Sequence, residues 1–348
     1  MVDHGRQCVE ASGGFMKPWS FYLKNSQNPS FKIEFFFFNP ISGDRVRLPS
    51  SQSTLPCHCI NGPDFSISKI IASSEPKTIS QEPCFVVCLC KEGHLTYCRP
   101  TDQSWSSIDE DVPFIDDIVI LGGKLYATTS LESKFLMVFE MIEDAKGNGG
   151  PLSCRVVKLV TLDPNTRPSF FPLPFVEIDY DGSRVEHYNG HDFVHLAKDS
   201  ASMELFMVFH KADYAYNPKQ DMCLLTVHKV MLAKTFRYTE PPKTKGFRVF
   251  KLESDIDGGP QWMEVVELGD RVLFVSNHHS VVISYPYGHK VERNSIYFAF
   301  DYPCDESNKC DFGVFSLTNK SIRHFSCSKS RSWFQLHTAP LWFVPNLC

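Results

Sequence analysis

The sequence predicts an all-β chain, folded as a single β-propeller of six or seven antiparallel blades spanning residues 1–348. Three observations carry that expectation. The first is a degenerate repeat. Trp105-Ser106-Ser107-Ile108 leads to Asp116-Asp117-Ile118-Val119-Ile120-Leu121-Gly122-Gly123-Lys124-Leu125-Tyr126-Ala127-Thr128, and Trp262-Met263-Glu264-Val265 leads to Leu268-Gly269-Asp270-Arg271-Val272-Leu273-Phe274-Val275-Ser276. Repetition of one small sheet unit argues for a ring of blades. The second is that runs such as Val272-Leu273-Phe274-Val275 and Phe85-Val86-Val87-Cys88 are apolar on both faces, where a sandwich with one wet face per sheet would alternate. The third is 29 Phe in 348 residues, an aromatic load that favours strands over helices.

Taken in order, the elements read as strand after strand with turn chemistry between them. Phe35–Asn39 is extended, Pro40 to Asp44 turns the chain, and Arg45–Leu48 returns, with Gly43 supplying the residue that tolerates positive φ. Phe85–Cys90 turns through Glu92-Gly93 and returns along His94–Cys98. Further strands are expected at 118–121, 124–128, 135–141, 155–161, 205–210, 247–252, 272–276, 281–285, 296–300 and 313–317. Leu224 to Phe236 suits a strand or a short helix, and its Thr and Val content favours the strand. Near the end, 313–323 echoes the first hairpin, with Asn319 where Gly43 fell; both accept the left-handed conformation. Irregular loops are expected at 49–66, 143–153, 211–221 and 301–311, where a propeller carries recognition.

Composition narrows the function classes. A net charge of −5 disfavours a phosphate-tracking surface, so no nucleic-acid partner is expected. Lys243, Lys245 and Arg248 read as a solvated loop leading into a strand. No apolar stretch approaches the roughly 18 residues of a membrane span, and the first residues lack the apolar core of a secretory signal, so an intracellular chain without a membrane partner is expected. Cys84, Val86, Cys88 and Cys90 share one face of a strand and Phe85, Val87 and Leu89 the other, which reads as buried free thiols in a reducing compartment. The sequon Asn319-Lys320-Ser321 then has no consequence.

Cys57-His58-Cys59 and the series Cys84, Cys88, Cys90, His94, Cys98 carry zinc-ligand types. Yet Cys88 and Cys90 on a straight strand lie about 6.8 Å apart at Cα, against roughly 3.8 Å between two sulfurs on one zinc. His187, His191 and His195 recur every four residues, but Gly190 interrupts a helix there and Phe193-Val194 begins a strand. His278-His279 reads as a loop between strands. Asp109-Glu110-Asp111 and Asp255-Ile256-Asp257 could pair carboxylates for glycoside hydrolysis, although both fit solvated turns. Gly123-Lys124 makes no complete P-loop, and no nucleophile elbow or dinucleotide fingerprint occurs. Trp105 and Trp262 open strands at equivalent repeat positions, as packing residues would. No catalytic, cofactor-binding or metal residue is expected, and no enzyme activity.

The motifs resemble those of plant F-box proteins with the KIB-type β-propeller, domain-of-unknown-function family 295. The matching pieces are Phe37-Phe38-Asn39-Pro40-Ile41-Ser42-Gly43 with Arg47-Leu48-Pro49, Asp116-Asp117-Ile118 with Gly123-Lys124-Leu125-Tyr126-Ala127, and Glu204-Leu205-Phe206-Met207-Val208. They continue with Phe247-Arg248-Val249-Phe250-Lys251-Leu252, the Trp262 and Leu268 segments, Asn294-Ser295-Ile296-Tyr297-Phe298 and Gly313-Val314-Phe315. The resemblance implies a receptor that presents an unknown protein target to a Skp–cullin ubiquitin ligase, the F-box binding the Skp-type adaptor. An F-box is a helical module preceding the propeller. The residues before Phe35 show no helical periodicity, and Ala11-Ser12-Gly13-Gly14-Phe15-Met16 resembles the family's first-blade segment, so the F-box is expected to be absent from this chain. The alternatives are a stand-alone scaffold or competitor and, more remotely, a propeller glycoside hydrolase or lectin.

Overall fold

A computed structural model describes residues 8–10, 20–25, 33–38, 43–49, 67–74, 84–90, 93–108, 115–129, 135–142, 153–161, 191–213, 243–255, 259–284, 291–302 and 309–325. Every described element is a strand. The first sheet is the meander β1 (Cys8–Glu10), β2 (Ser20–Asn25), β3 (Ile33–Phe38), β4 (Arg45–Arg47). The second is β5 (Ile67–Ala72), β6 (Val86–Cys90), β7 (Leu95–Cys98), β8 (Ser106–Ser107). The third is β9 (Ile115–Leu121), β10 (Lys124–Thr129), β11 (Phe135–Ile142), β12 (Ser153–Thr161), and the fourth β13 (His191–Asp199), β14 (Glu204–Asp213), β15 (Lys243–Asp255), β16 (Gly259–Val265). The fifth unit is β17 (Arg271–Ser276), β18 (Val281–Ser284), β19 (Ser295–Tyr302), β20 (Lys309–Ser316), β21 (Ile322–His324).

The fifth unit departs from the meander. Its order is β18-β17-β19-β20-β21, with β17 parallel to β19 over five residue pairs, and a single pairing, Lys198 with Val281, joins it to the fourth sheet. These strands form five units among the described residues, so the expected six or seven blades would need strands from residues outside them.

The sheets pack face to face, and each inner strand serves two neighbours. Phe35, Phe37, Val46 and Leu48 of the first sheet meet Ile70, Val86, Cys88, Cys90 and Trp105 of the second. The other face of the second sheet, Phe85, Val87, Leu89 and Tyr97, meets Ile118, Ile120, Leu125 and Phe139 of the third. Val119 and Leu121, alternate residues of β9, then meet Leu196, Met207, Phe209 and Trp262 of the fourth. Phe206, Val208, Phe247 and Val249 finally meet Leu273, Phe298, Phe300 and Phe315 of the fifth. Strands buried on both faces follow from the period-2 alternation of side chains in a sheet covered on both sides. The stack also curls, because His278 Nδ1, after β17, lies 2.7 Å from the Ser68 carbonyl of β5, three sheets back.

The turns explain the hairpin positions. Gly122 (φ 57°) and Gly123 (φ 74°) both sit in the left-handed region, as a two-residue hairpin turn with positive φ at both central positions requires. In the last hairpin the positive φ falls on Lys320 (57°) and not on Asn319. The Asn319 Oδ1 instead accepts the Ser321 amide and hydroxyl, so its side chain makes the turn.

Other expectations shift. Lys243, Lys245 and Arg248 lie inside β15, not in a loop, because Lys243 to Phe247 pair with Asp213 to His210. The loops expected at 211–221 and 301–311 are narrowed at their edges by β14, β19 and β20. The segment Leu224 to Phe236 lies outside the described residues.

Candidate functional site

The inner strands bring together a polar hub that no local sequence pattern announces. Lys69 on β5 and Asp117 on β9 are both buried, and their charged groups meet at 2.7 Å. Asp117 is fully engaged: Oδ1 also accepts the Ile118 amide at 2.8 Å, and Oδ2 accepts the Leu196 amide of β13 at 2.7 Å. One carboxylate therefore ties three successive sheets. Two residues on, Lys198 Nζ donates to the Ile120 carbonyl at 2.9 Å, a second link between β13 and β9. The turn after β17 closes the group, where the Ser276 hydroxyl donates to the His279 carbonyl and accepts the His279 amide.

Burial sets the electrostatics of this hub. It pushes the His195 imidazole down to about 4, with Asp117 opposing and Lys69 reinforcing the shift. It pushes His279 down to about 3, helped by Lys69 and Lys198, and brings the Lys198 ammonium down to about 8, helped by Lys69. The hub thus sets neutral imidazoles and the Lys198 ammonium beside the Lys69–Asp117 ion pair. His195 Nε2, His279 Nδ1 and Ser280 Oγ are out of solvent's reach and have no hydrogen-bond partner among the described residues.

A second polar thread laces the fourth sheet to the fifth. His210 Nε2 lies 2.9 Å from Thr244 Oγ1, the Thr244 amide donates to Asp311 Oδ2 at 2.6 Å, and Asp311 Oδ1 meets His324 Nδ1 at 2.9 Å. The His210 ring stacks on Phe300 at 4.0 Å, and burial, with His195, holds its imidazole well below the ordinary range.

One end of the sheets presents a continuous set of hairpin tips. The β9–β10 and β13–β14 tips touch, since a Cβ on Gly122 would lie 3.0 Å from Met203 Cε. Glu204 pairs with Arg271, whose carbonyl accepts the Asn294 amide, and Asn294 Nδ2 donates to Thr318 Oγ1. Met203, 56% exposed, holds φ at 58°, a costly conformation for a long side chain on a surface.

The residues singled out from the sequence scatter. Cys84, Cys88, Cys90 and Cys98 form no disulfide among the described residues and are buried between the first two sheets, and burial raises the thiols of Cys84, Cys88 and Cys98. Of the spaced histidines, His191 and His195 lie on β13, and His195 adjoins the hub; His187 is outside the described residues. His278 and His279 sit in the turn between β17 and β18. Trp105 packs edge-on to Phe35 and donates to the Pro49 carbonyl, while Trp262 lies buried in β16. Cys57-His58-Cys59, Asp109-Glu110-Asp111 and Asp257 fall outside the described residues, and Asp255 ends β15. Lys124, exposed beside its hairpin turn, pairs with Glu140. Among the described residues, no group of three or more His, Cys, Asp or Glu is placed to hold a metal.

The order of these parts has a match among known families. The model of the KIB1-4 β-propeller covers residues 3–316. The chain belongs to the KIB1-4 β-propeller family. A candidate F-box protein of Arabidopsis thaliana is 31% identical over 244 residues, 70% of this chain and 50% of that protein, so the chain spans about half the length of the curated relative it matches. Among solved structures, the N-terminal domain of Nup159 aligns with TM-score 0.34 at 10% identity, over 89% of this chain and 59% of that one. Dipeptidyl peptidase 4 of Porphyromonas gingivalis aligns with TM-score 0.29 at 10% identity, over 93% of this chain and 34% of that one. The hub's Asp117 lies in the family-like piece Asp116-Asp117-Ile118, the one sequence signal that pointed at it. Lys69, Lys198, Thr244 and Asp311 had none.

Proposed function

We propose that this propeller is a non-enzymatic protein-recognition module, the target-binding part of a Skp–cullin–F-box ubiquitin ligase working inside the cell. The family match over residues 3–316 is the observation that carries the reading, and the F-box relative from Arabidopsis agrees with it. The geometry is consistent with a binding role. The Asp117 carboxylate is consumed in fastening sheets, and the hairpin tips around Met203 present the exposed loop surface that recognition uses. Contact with a Skp-type adaptor is assigned to an F-box module and not to the propeller.

Affinity capture from plant cell extract with the purified chain tests this, read by mass spectrometry. One protein should be enriched over an unrelated propeller. When the chain is joined to an F-box in cells, that protein should fall in abundance and recover with a proteasome inhibitor. A captured protein whose level never changes would make the chain a scaffold, and no enriched protein would defeat the reading.

A further inference from the structure

The hub carries more positive charge and more donors than its protein partners use. Each lysine ammonium has three N–H donors. Lys69 spends one on Asp117 and Lys198 one on the Ile120 carbonyl, leaving two on each without a partner among the described residues. Among the described residues, the one carboxylate in direct contact is already filled by one ammonium and two amides. Asp199, next along β13, serves the opposite face and lies 3.6 Å from Arg271. Ser280, 2% exposed, and the His279 ring add two polar atoms with no hydrogen-bond partner among the described residues. These groups share one place, since Lys198 pairs with Val281 beside Ser280, and His278 reaches the residue before Lys69.

A buried cation with no counter-charge is costly, and hydrogen bonds to neutral groups do not remove the cost. Water would satisfy the donors and leave the charge. We propose that this hub binds a small oxyanion, a carboxylate or phosphoryl group, held by Lys69 and Lys198 with His279 and Ser280 completing the donor set. Several converging N–H and O–H donors match an acceptor with several lone pairs. The partly exposed His278 and His279 turn marks the way in. Lys198 keeps most of its charge at pH 7, since its lowered value still lies near 8.

The test is thermal unfolding of the whole chain and of Lys198→Met at constant ionic strength, with sodium phosphate or sodium acetate replacing an inert salt. Phosphate stabilises folded proteins by exclusion as well, so the difference between the two chains is the readout. The wild-type midpoint should climb with the logarithm of probe concentration, and Lys198→Met should respond at least tenfold more weakly. A response to phosphate alone assigns a phosphoryl ligand, and one to acetate alone a carboxylate. Parallel curves for the two chains in both probes would overturn the site. Should Lys198→Met not fold, calorimetric titration of the wild-type chain decides: saturable binding that weakens above pH 8 supports the site, and the absence of saturable heat overturns it.

Discussion

Removing the carboxylate of Asp117 unfastens three sheets at once. In Asp117→Ala the Lys69 ammonium, 2.7 Å from its partner in the native chain, stays buried without a counter-charge. Breaking such a pair costs about 3–5 kcal/mol. The Ile118 and Leu196 amides also lose their acceptor, and each stranded buried donor costs about 1–3 kcal/mol. These terms share one cavity and do not add fully, so a loss of at least about 4 kcal/mol is expected, against a total stability of about 5–15 kcal/mol. Urea denaturation followed by far-ultraviolet circular dichroism measures it as a drop in midpoint. The companion is Lys69→Met with Asp117→Asn, which removes both charges and leaves an amide oxygen to accept the Leu196 N–H. Its loss should fall at least about 2 kcal/mol short of the sum of the single losses, the signature of coupled partners. A loss below about 1 kcal/mol in Asp117→Ala, or single effects that simply add, would refute the hub as a fastener.

Acid should weaken the fold through its buried histidines. His195, His210 and His279 are neutral when folded, with His195 near 4 and His279 near 3, while the unfolded chain protonates them near 6.5. Their contribution is complete above pH 6.5 and falls as pH drops, by about 1.4 kcal/mol per unit for each histidine. His195→Phe, which keeps a ring against Phe300, should flatten denaturation midpoint against pH between 6.5 and 4. Gly313→Ala places a Cβ 2.5 Å from the Arg323 carbonyl and 2.9 Å from the Phe298 ring, so β21 must shift. A cost of about 1–3 kcal/mol and faster amide exchange at Arg323 and His324 should follow. Met203→Gly relieves a left-handed φ at an exposed site and should raise stability by about 0.5–1 kcal/mol, while a captured target, if it docks on the tips, should bind more weakly in the same variant.

The strands were legible because their signal is local. Val272-Leu273-Phe274-Val275 shows its two-sided burial in four letters, and the paired glycines after Leu121 announce their own turn. The tryptophan-led repeat also had a structural basis: both copies run from an outer strand to the next inner one, β8 to β9 and β16 to β17. Beyond that point the copies diverge, because β17 pairs in parallel with β19 and no spacing rule foretells such a pairing. β5 was missed for a definite reason. A lysine in the middle of Ile67-Ser68-Lys69-Ile70-Ile71 reads as surface, since lysine is rarely buried unless paired, and its partner lies 48 residues away. Asp311 was likewise placed in a loop, although it lies within β20 and fixes the Thr244 amide 67 residues earlier. Local patterns show which backbone is extended. They do not show which distant charges meet.

The reach of Asp117 has a consequence for synthesis. Its acceptor oxygen waits for the Leu196 amide, 79 residues further along the chain. At about 5–20 residues per second a ribosome needs on the order of 4–16 s to deliver that amide, and the nascent chain must keep an acid destined for the interior wet until then. The centre of the molecule is therefore completed late, after its third sheet has already emerged.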